Sequence, residues 1–195
     1  MTSDEEQLRL SQEVASAFEP LVERLAPPIH AYLARRAPHE ADELLADVWL
    51  AAFSSRATFD PTRGTARAWF FGIARHTLLA HYRRTARDAA PHGTGPTEMD
   101  WAAVDARLDA AAVRPALMEA LAELPPVERE LLLLVGWEQL TPTEAADVVG
   151  IPAGTARSRL HRARERMRER LADSTQVLGK RRSELEGDSP WTSSS

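Results

Sequence analysis

Three observations predict an all-α chain of two small helical domains joined by a flexible linker. Alanine, leucine and arginine recur through long stretches at three- and four-residue steps, the period of an amphipathic helix. Nowhere does polarity alternate residue by residue, as it does along a half-buried strand. The sequence HGTGPT at residues 92–97 is incompatible with a helix and divides the chain. With 195 residues in all, each half buries only a modest core. The expected limits are residues 1–87 for the first domain, 88–112 for the linker, 113–173 for the second domain and 174–195 for a disordered tail.

The first domain reads as three or four helices. Residues 18–36 form one helix or a broken pair, because Pro27-Pro28 interrupts the hydrogen-bond ladder. Residues 40–54 form the next, where Glu43 and Asp47 share a face beside Leu44, Leu45, Val48 and Trp49. A third starts after FDPTRG and runs from residue 65 to about 86. Its sequence, ARAWFFGIARHTLLAHYRR, interleaves aromatic rings with arginines and histidines. Rings stack on unpaired bases while arginines hold the backbone, a combination suited to single-stranded nucleic acid. Of Trp69, Phe70 and Phe71, at least one is expected in the core and one or two against nucleic acid.

Charge is a mosaic beneath the net value of −5. Residues 1–20 carry five acids against Arg9, and residues 88–112 carry five against Arg107. Residues 56–87 carry seven arginines against Asp60, and residues 152–171 carry seven against two glutamates. Two basic surfaces separated by an acidic stretch point to two contacts on one polyanion. That acidic stretch is either a solvated spacer or functional in its own right.

Residues 141–171, TPTEAADVVGIPAGTARSRLHRARERMRERL, read as two helices around a tight turn. Thr141 and Glu144 have capping-box spacing, Pro142 suits the first helical position, Gly150 suits a left-handed stop, and Pro152 restarts the chain. Ala156, Leu160, Ala163, Met167 and Leu171 form one apolar stripe. In a helix-turn-helix the N-terminal part of the second helix enters the major groove, so Thr155, Arg157, Ser158, Arg159, His161 and Arg162 are the expected base-reading group. Arg166, Arg168 and Arg170 are either phosphate contacts or a solvated face. The plainer alternative for the whole hairpin is an amphipathic helix pair with an arginine-rich solvent face.

Other function classes find little support. No glycine-rich phosphate loop, nucleophile elbow or zinc-spaced histidine pair accompanies the Glu43–Asp47 pair, so no enzyme, metal or cofactor is expected, and docking of a basic protein partner explains that helix better. Zero cysteines exclude disulfides and thiol redox sensing on this chain. No run reaches a membrane span and MTSDEEQLRL is acidic, so a cytoplasmic protein without membrane insertion is expected. The tail carries a basic patch at residues 180–182 and an unexplained Trp191.

Read in order, ADELLADVWLAAF, FDPTRGTARAWFFGIARHTLLAHYRR, a linker and LPPVERELLLLVGWEQLTPTEAADVVGIPAGTARSRLHRARERM resemble the extracytoplasmic-function group of the sigma-70 family of transcription initiation factors. The resemblance covers about residues 15–172. It implies sigma-2-like and sigma-4-like domains that bind core RNA polymerase, on the clamp of the largest subunit and the flap of the second, and read two promoter elements. By position, Asp42, Glu43, Leu45, Ala46, Asp47 and Trp49 would dock on the clamp. Arg63, Arg67, Trp69, Phe70, Arg75, His76, Tyr82, Arg83 and Arg84 would melt and hold the −10 element, and residues 155–162 would read the −35 element. The linker would thread toward the active-site and RNA-exit channels as a nucleic-acid mimic. An anti-sigma protein is implied as a further partner. Three residues depart from the family pattern: Ala46 stands for the usual glutamine, His76 for asparagine, and Ala156 for valine in the recognition helix. The first removes one polar contact to polymerase, the second alters −10 preference and the third loosens packing slightly. Two other readings are a stand-alone helix-turn-helix regulator that binds its operator as a dimer, and a decoy that occupies polymerase without initiating.

Overall fold

The computed structural model describes the backbone of residues 2–88 and 114–187, and the side chains of residues 2–87 and 116–172. Every regular element among them is helical. The first half holds α1 (Asp4–Glu13), α2 (Glu19–Ala34), α3 (Ala41–Ser55) and α4 (Ala66–Asp88). The second holds α5 (Arg114–Glu123), α6 (Pro126–Gly136), α7 (Pro142–Val149) and α8 (Ala153–Gly187).

Helix α1 is not anticipated by the sequence reading, although its start is marked. The Ser3 hydroxyl accepts the Glu6 N–H at 3.2 Å, and Asp4, Glu5 and Glu6 place negative charge in the first turn, where the helix dipole favours it. Asp4 also accepts from Arg24 on α2 at 2.6 Å.

Helix α2 runs unbroken through Pro27 and Pro28, contrary to the expected interruption. The two prolines forfeit bonds to the carbonyls of Glu23 and Arg24, and both of those residues are exposed, so water can serve the freed groups. The opposite face buries Leu21, Leu25, Ile29, Tyr32 and Leu33 without a gap. Packing of that stripe outweighs the local penalty.

In the first half α3 packs on both α2 and α4, around the rings of Phe18, Trp49 and Phe70. In the second half α8 lies across α5, α6 and α7, burying Ala163 and Met167 against Leu121, Leu124 and Leu133. The α8 backbone continues to Gly187, where composition pointed to an unstructured tail after about residue 173. The expected linker and Trp191 lie outside the described residues.

The halves do not stand apart. Leu131, Leu134, Leu140, Ala145, Ala146 and Val148 of the second half belong to the same buried cluster as the first half's Ile29, Tyr32, Leu44 and Phe71. Helix α4 packs directly on α7.

Candidate nucleic-acid interface

The turn between α7 and α8 is built by short-range chemistry. The Glu144 N–H donates to the Thr141 hydroxyl at 3.2 Å, and the Thr141 N–H donates to the Glu144 carboxylate at 2.8 Å, a complete capping box. Gly150 takes φ 78° and ψ 40°, a left-handed conformation that costs a glycine little. The Ile151 N–H then reaches back to the Ala146 carbonyl at 3.0 Å and the Gly150 N–H to that of Asp147 at 3.2 Å, closing a Schellman motif.

This turn delivers α8 with a defined face outward. Ala156, Leu160, Ala163 and Met167 are buried, so Arg157, Ser158, His161, Arg162 and Arg164 are held in solvent. Thr155 and Arg159 are half-buried, and Thr155 accepts through its carbonyl from the Ser158 hydroxyl at 3.0 Å. Ala156, where the family pattern has valine, is fully enclosed. His161 lies 3.2 Å from Glu165 one turn on. Further along, Arg166 pairs with Glu128 at 2.5 Å and Arg170 with Glu123 at 2.6 Å, so these two are tied to α6 and α5. Arg162 lies 3.9 Å from the same Glu128.

Helix α4 is anchored at its start by two residues. Thr65 accepts the Ala68 N–H through its hydroxyl at 3.1 Å, and Glu5 of α1 accepts the Ala66 N–H at 3.0 Å. Upstream, Asp60 accepts from the N–H and hydroxyl of Thr62, which holds its carboxyl below the ordinary range. The aromatic run then divides. Phe70 is wholly enclosed among Phe18, Trp49 and Trp69, and Phe71 packs edge-on against Tyr32. Phe70, expected on the −10 face, is therefore a core ring in this arrangement, because three neighbouring rings cover it. Trp69 is partly exposed, resting on Phe59 with ring centres 5.8 Å apart.

Trp69, Ile73, His76, Asp60 and Arg63 line one wall of a cleft of about 860 Å³, whose other wall is Ala146, Asp147 and Gly150–Pro152. Arg83 and Arg84 are exposed further down α4, and Arg75 is half-buried. Tyr82 turns inward, its hydroxyl donating to the Arg36 carbonyl. Arg67 is engaged across the halves, donating to the Glu138 carbonyl at 2.8 Å.

On α3, Asp42, Glu43, Ala46 and Asp47 are exposed, whereas Leu45 and Trp49 are partly buried in the core. The same face presents Leu50, 68% exposed, which the sequence reading missed. Its spacing of four from Ala46 and three from Asp47 was the available signal.

Sequence reasoning also missed a polar network that crosses the halves. Tyr32 donates to Glu130 at 2.9 Å, Arg36 to Glu130 at 3.2 Å, and Arg35 to Glu138. Burial raises the Glu138 carboxyl, and the facing Arg35 and Arg36 only partly offset this, so it stays above the ordinary range. Burial also raises the Tyr32 hydroxyl, with Glu130 adding to the effect. Partial burial likewise pushes Glu144 up, but hydrogen bonds from the Thr141 backbone and the Thr65 and Thr141 hydroxyls, with nearby Arg67, carry it below the ordinary value.

Among the described residues no helix is long and apolar enough to cross a membrane, and no three His, Asp or Glu side chains gather as a metal site would require.

Known families match both halves. Residues 21–88 fit the Sigma-70 region 2 family and residues 114–167 the Sigma-70, region 4 family. The chain is 29% identical over 165 residues to the ECF RNA polymerase sigma factor RpoE of Cereibacter sphaeroides, across 80% of this chain and 87% of that one. It is 34% identical over 148 residues to the ECF RNA polymerase sigma factor SigF of Caulobacter vibrioides, across 73% and 79%. In fold it resembles the sigma factor RpoE of Bartonella quintana, solved with the anti-sigma factor NepR, at a TM-score of 0.55 and 23% identity over 80% of this chain and 96% of that one. Two region models in order, and relatives that align along most of their length, carry one conclusion: the chain belongs to the extracytoplasmic-function group of the sigma-70 family and is an RNA polymerase sigma factor.

Proposed function

We propose that this sigma factor reads the −35 element through the exposed face of α8 and opens the −10 element along α4. The observation that carries this reading is the presentation of α8: an apolar stripe locked into the core leaves Arg157, Ser158, His161 and Arg162 standing in solvent at the helix end that enters a major groove. Arg157 fits a bidentate grip on guanine. Trp69, Arg63 and His76 supply a partly exposed ring and polar groups beside it, suited to an unstacked base. Arg83 and Arg84 suit phosphates. The acidic face of α3, with Asp42, Glu43, Ala46, Asp47 and Leu50, docks on core polymerase. Phe70 serves this site by supporting Trp69 from behind.

Polymerase supplies the chemistry; this chain contributes the promoter address and the strand opening, without a cofactor or enzymatic activity of its own. It works in the cytoplasm, where the polymerase is. An anti-sigma protein is the expected regulator, by analogy with the complexed structural relative.

The direct test adds the purified chain to core polymerase on a library of genomic fragments, with a core-only control. Discrete new start sites sharing two upstream elements are the expected result. Failure to bind core, together with tight duplex binding by the free chain, would instead mark a stand-alone regulator.

A further inference from the structure

Helix α1 holds both ends of one loop. Glu5 accepts the Ala66 N–H at 3.0 Å, at the first residue of α4. Two turns on, the Gln12 side chain donates to the Arg56 carbonyl at 3.1 Å, and the Arg56 guanidinium donates back to the Ser11 carbonyl at 3.0 Å. Arg56 opens a short 3₁₀ turn, Arg56–Thr58, that follows α3, so the two contacts brace residues 57–65 from either side. The spacing from Glu5 to Gln12 is two helical turns, which puts both side chains on one face of α1, about 10 Å apart along its axis. Leu8, between them, is fully buried in the core, so the braces extend from a fixed element.

The braced loop carries Asp60 and Arg63, and Trp69 stands one turn into α4 beyond the Ala66 contact. Arg63 is exposed, so its position is set by the backbone beneath it and not by packing. Its N–H donates to the Asp60 carbonyl at 3.1 Å, and Phe59, at the start of the loop, supports the Trp69 ring. Partial burial raises the Glu5 carboxyl and Glu144 adds to this, but the N–H groups of Ala66 and Glu5 and the Ser3 hydroxyl outweigh both and carry it below the ordinary range. A charged carboxylate therefore satisfies an orphan donor at the positive end of α4.

We propose that α1 is a strut for promoter opening: Glu5 and Gln12 are positioning residues that hold residues 57–65, and with them Arg63 and Trp69, in register for an unstacked base without touching DNA themselves. This rests on the assignment of α4 to the −10 element. Helix α1 lies ahead of the residues matched to region 2. Capture of an unstacked base needs a ring and a cation at a fixed separation, and a loose loop would have to order itself on binding, at a cost subtracted from the opened state. A loop braced at both ends has met that cost on folding. The effect of the strut therefore falls on strand opening and not on duplex binding, which α8 carries.

Holoenzymes carrying Glu5→Ala, Glu5→Gln or Gln12→Ala are compared with the parent and with Trp69→Ala on one promoter, for duplex binding and for permanganate reactivity of thymines in the −10 region. Glu5→Ala is expected to lower the opening equilibrium about fivefold, the size of a lost helix cap, while duplex binding is unchanged. Glu5→Gln keeps an acceptor oxygen for the Ala66 N–H and should open nearly as the parent does. Gln12→Ala should shift opening in the same direction as Glu5→Ala. Where Trp69→Ala is impaired, normal opening by both Glu5→Ala and Gln12→Ala overturns the strut, as do equal losses of binding and opening, which mark a merely structural helix. Where Trp69→Ala opens normally, the −10 assignment has failed instead, and amide exchange on the free chain decides the strut. The Arg63 and Ala66 amides should exchange about fivefold faster in Glu5→Ala, with α3 as protected as in the parent. Unchanged exchange overturns the strut.

Discussion

Arginine fills two surfaces of this molecule and meets opposite fates. Arg35 and Arg36 sit beneath the second half, matched to Glu130 and Glu138, whereas Arg157 and Arg164 stand on α8 in water with no carboxylate partner among the described residues. A buried guanidinium needs its countercharge to exist there at all, while an exposed one is free to exchange water for phosphate or a base edge. Charge counts along the sequence cannot separate the two. Burial and the position of the glutamates do.

The comparison breaks most visibly at Arg36. Arg36→Met leaves Glu130 and Glu138 buried with too little positive charge, and should cost about 3–5 kcal/mol in urea unfolding. Arg157→Ala should behave in the opposite sense. We expect it to weaken −35 binding by about 1–3 kcal/mol in a promoter competition assay, with unfolding stability within about 0.5 kcal/mol of the parent. A stability loss at Arg157 as large as that at Arg36 would erase the distinction between the two surfaces.

Smaller effects sharpen the placement of α8. Thr141→Ala removes the hydroxyl that caps α7 and should cost about 1 kcal/mol, read by thermal or chemical denaturation. Acid should act through the same cap. The fold holds the Glu144 carboxyl below its ordinary 4.5, so its stabilising contribution is complete above that value and fades as pH falls through its lower folded value. Glu138, shifted upward, contributes in the reverse sense: fully below 4.5, and lost as pH rises through its higher folded value. Glu144→Gln should therefore flatten the acid limb of the stability profile, measured by urea unfolding across pH. An identical limb in the variant would remove Glu144 from the account.

What was legible in the sequence follows the range of the forces involved. The cap at Thr141, the stop at Gly150 and the stripe from Ala156 to Met167 are decided by residues within a turn or two of each other, and each appears where its spacing placed it. The aromatic run of α4 was ambiguous because adjacent rings on a helix point to different neighbours. Only the arrival of Phe18, Trp49 and Tyr32 from other helices decides that Phe70 and Phe71 are interior and Trp69 is at the edge. Pro27-Pro28 misled for a related reason: a local breaker signal was overruled by a buried stripe on the opposite face. The polar network between the halves left no local trace, since Arg35 and Glu138 lie 103 positions apart.

The division of labour between α8 and α4 can be tested on one promoter, with Arg157→Ala and Trp69→Ala chains assayed with core polymerase on intact duplex and on the same DNA with the −10 region mismatched open. If α8 reads duplex and Trp69 holds the opened strand, the mismatched template restores initiation by Trp69→Ala and leaves Arg157→Ala impaired. Rescue of both variants, or of Arg157→Ala alone, would contradict the assignment of the two helices.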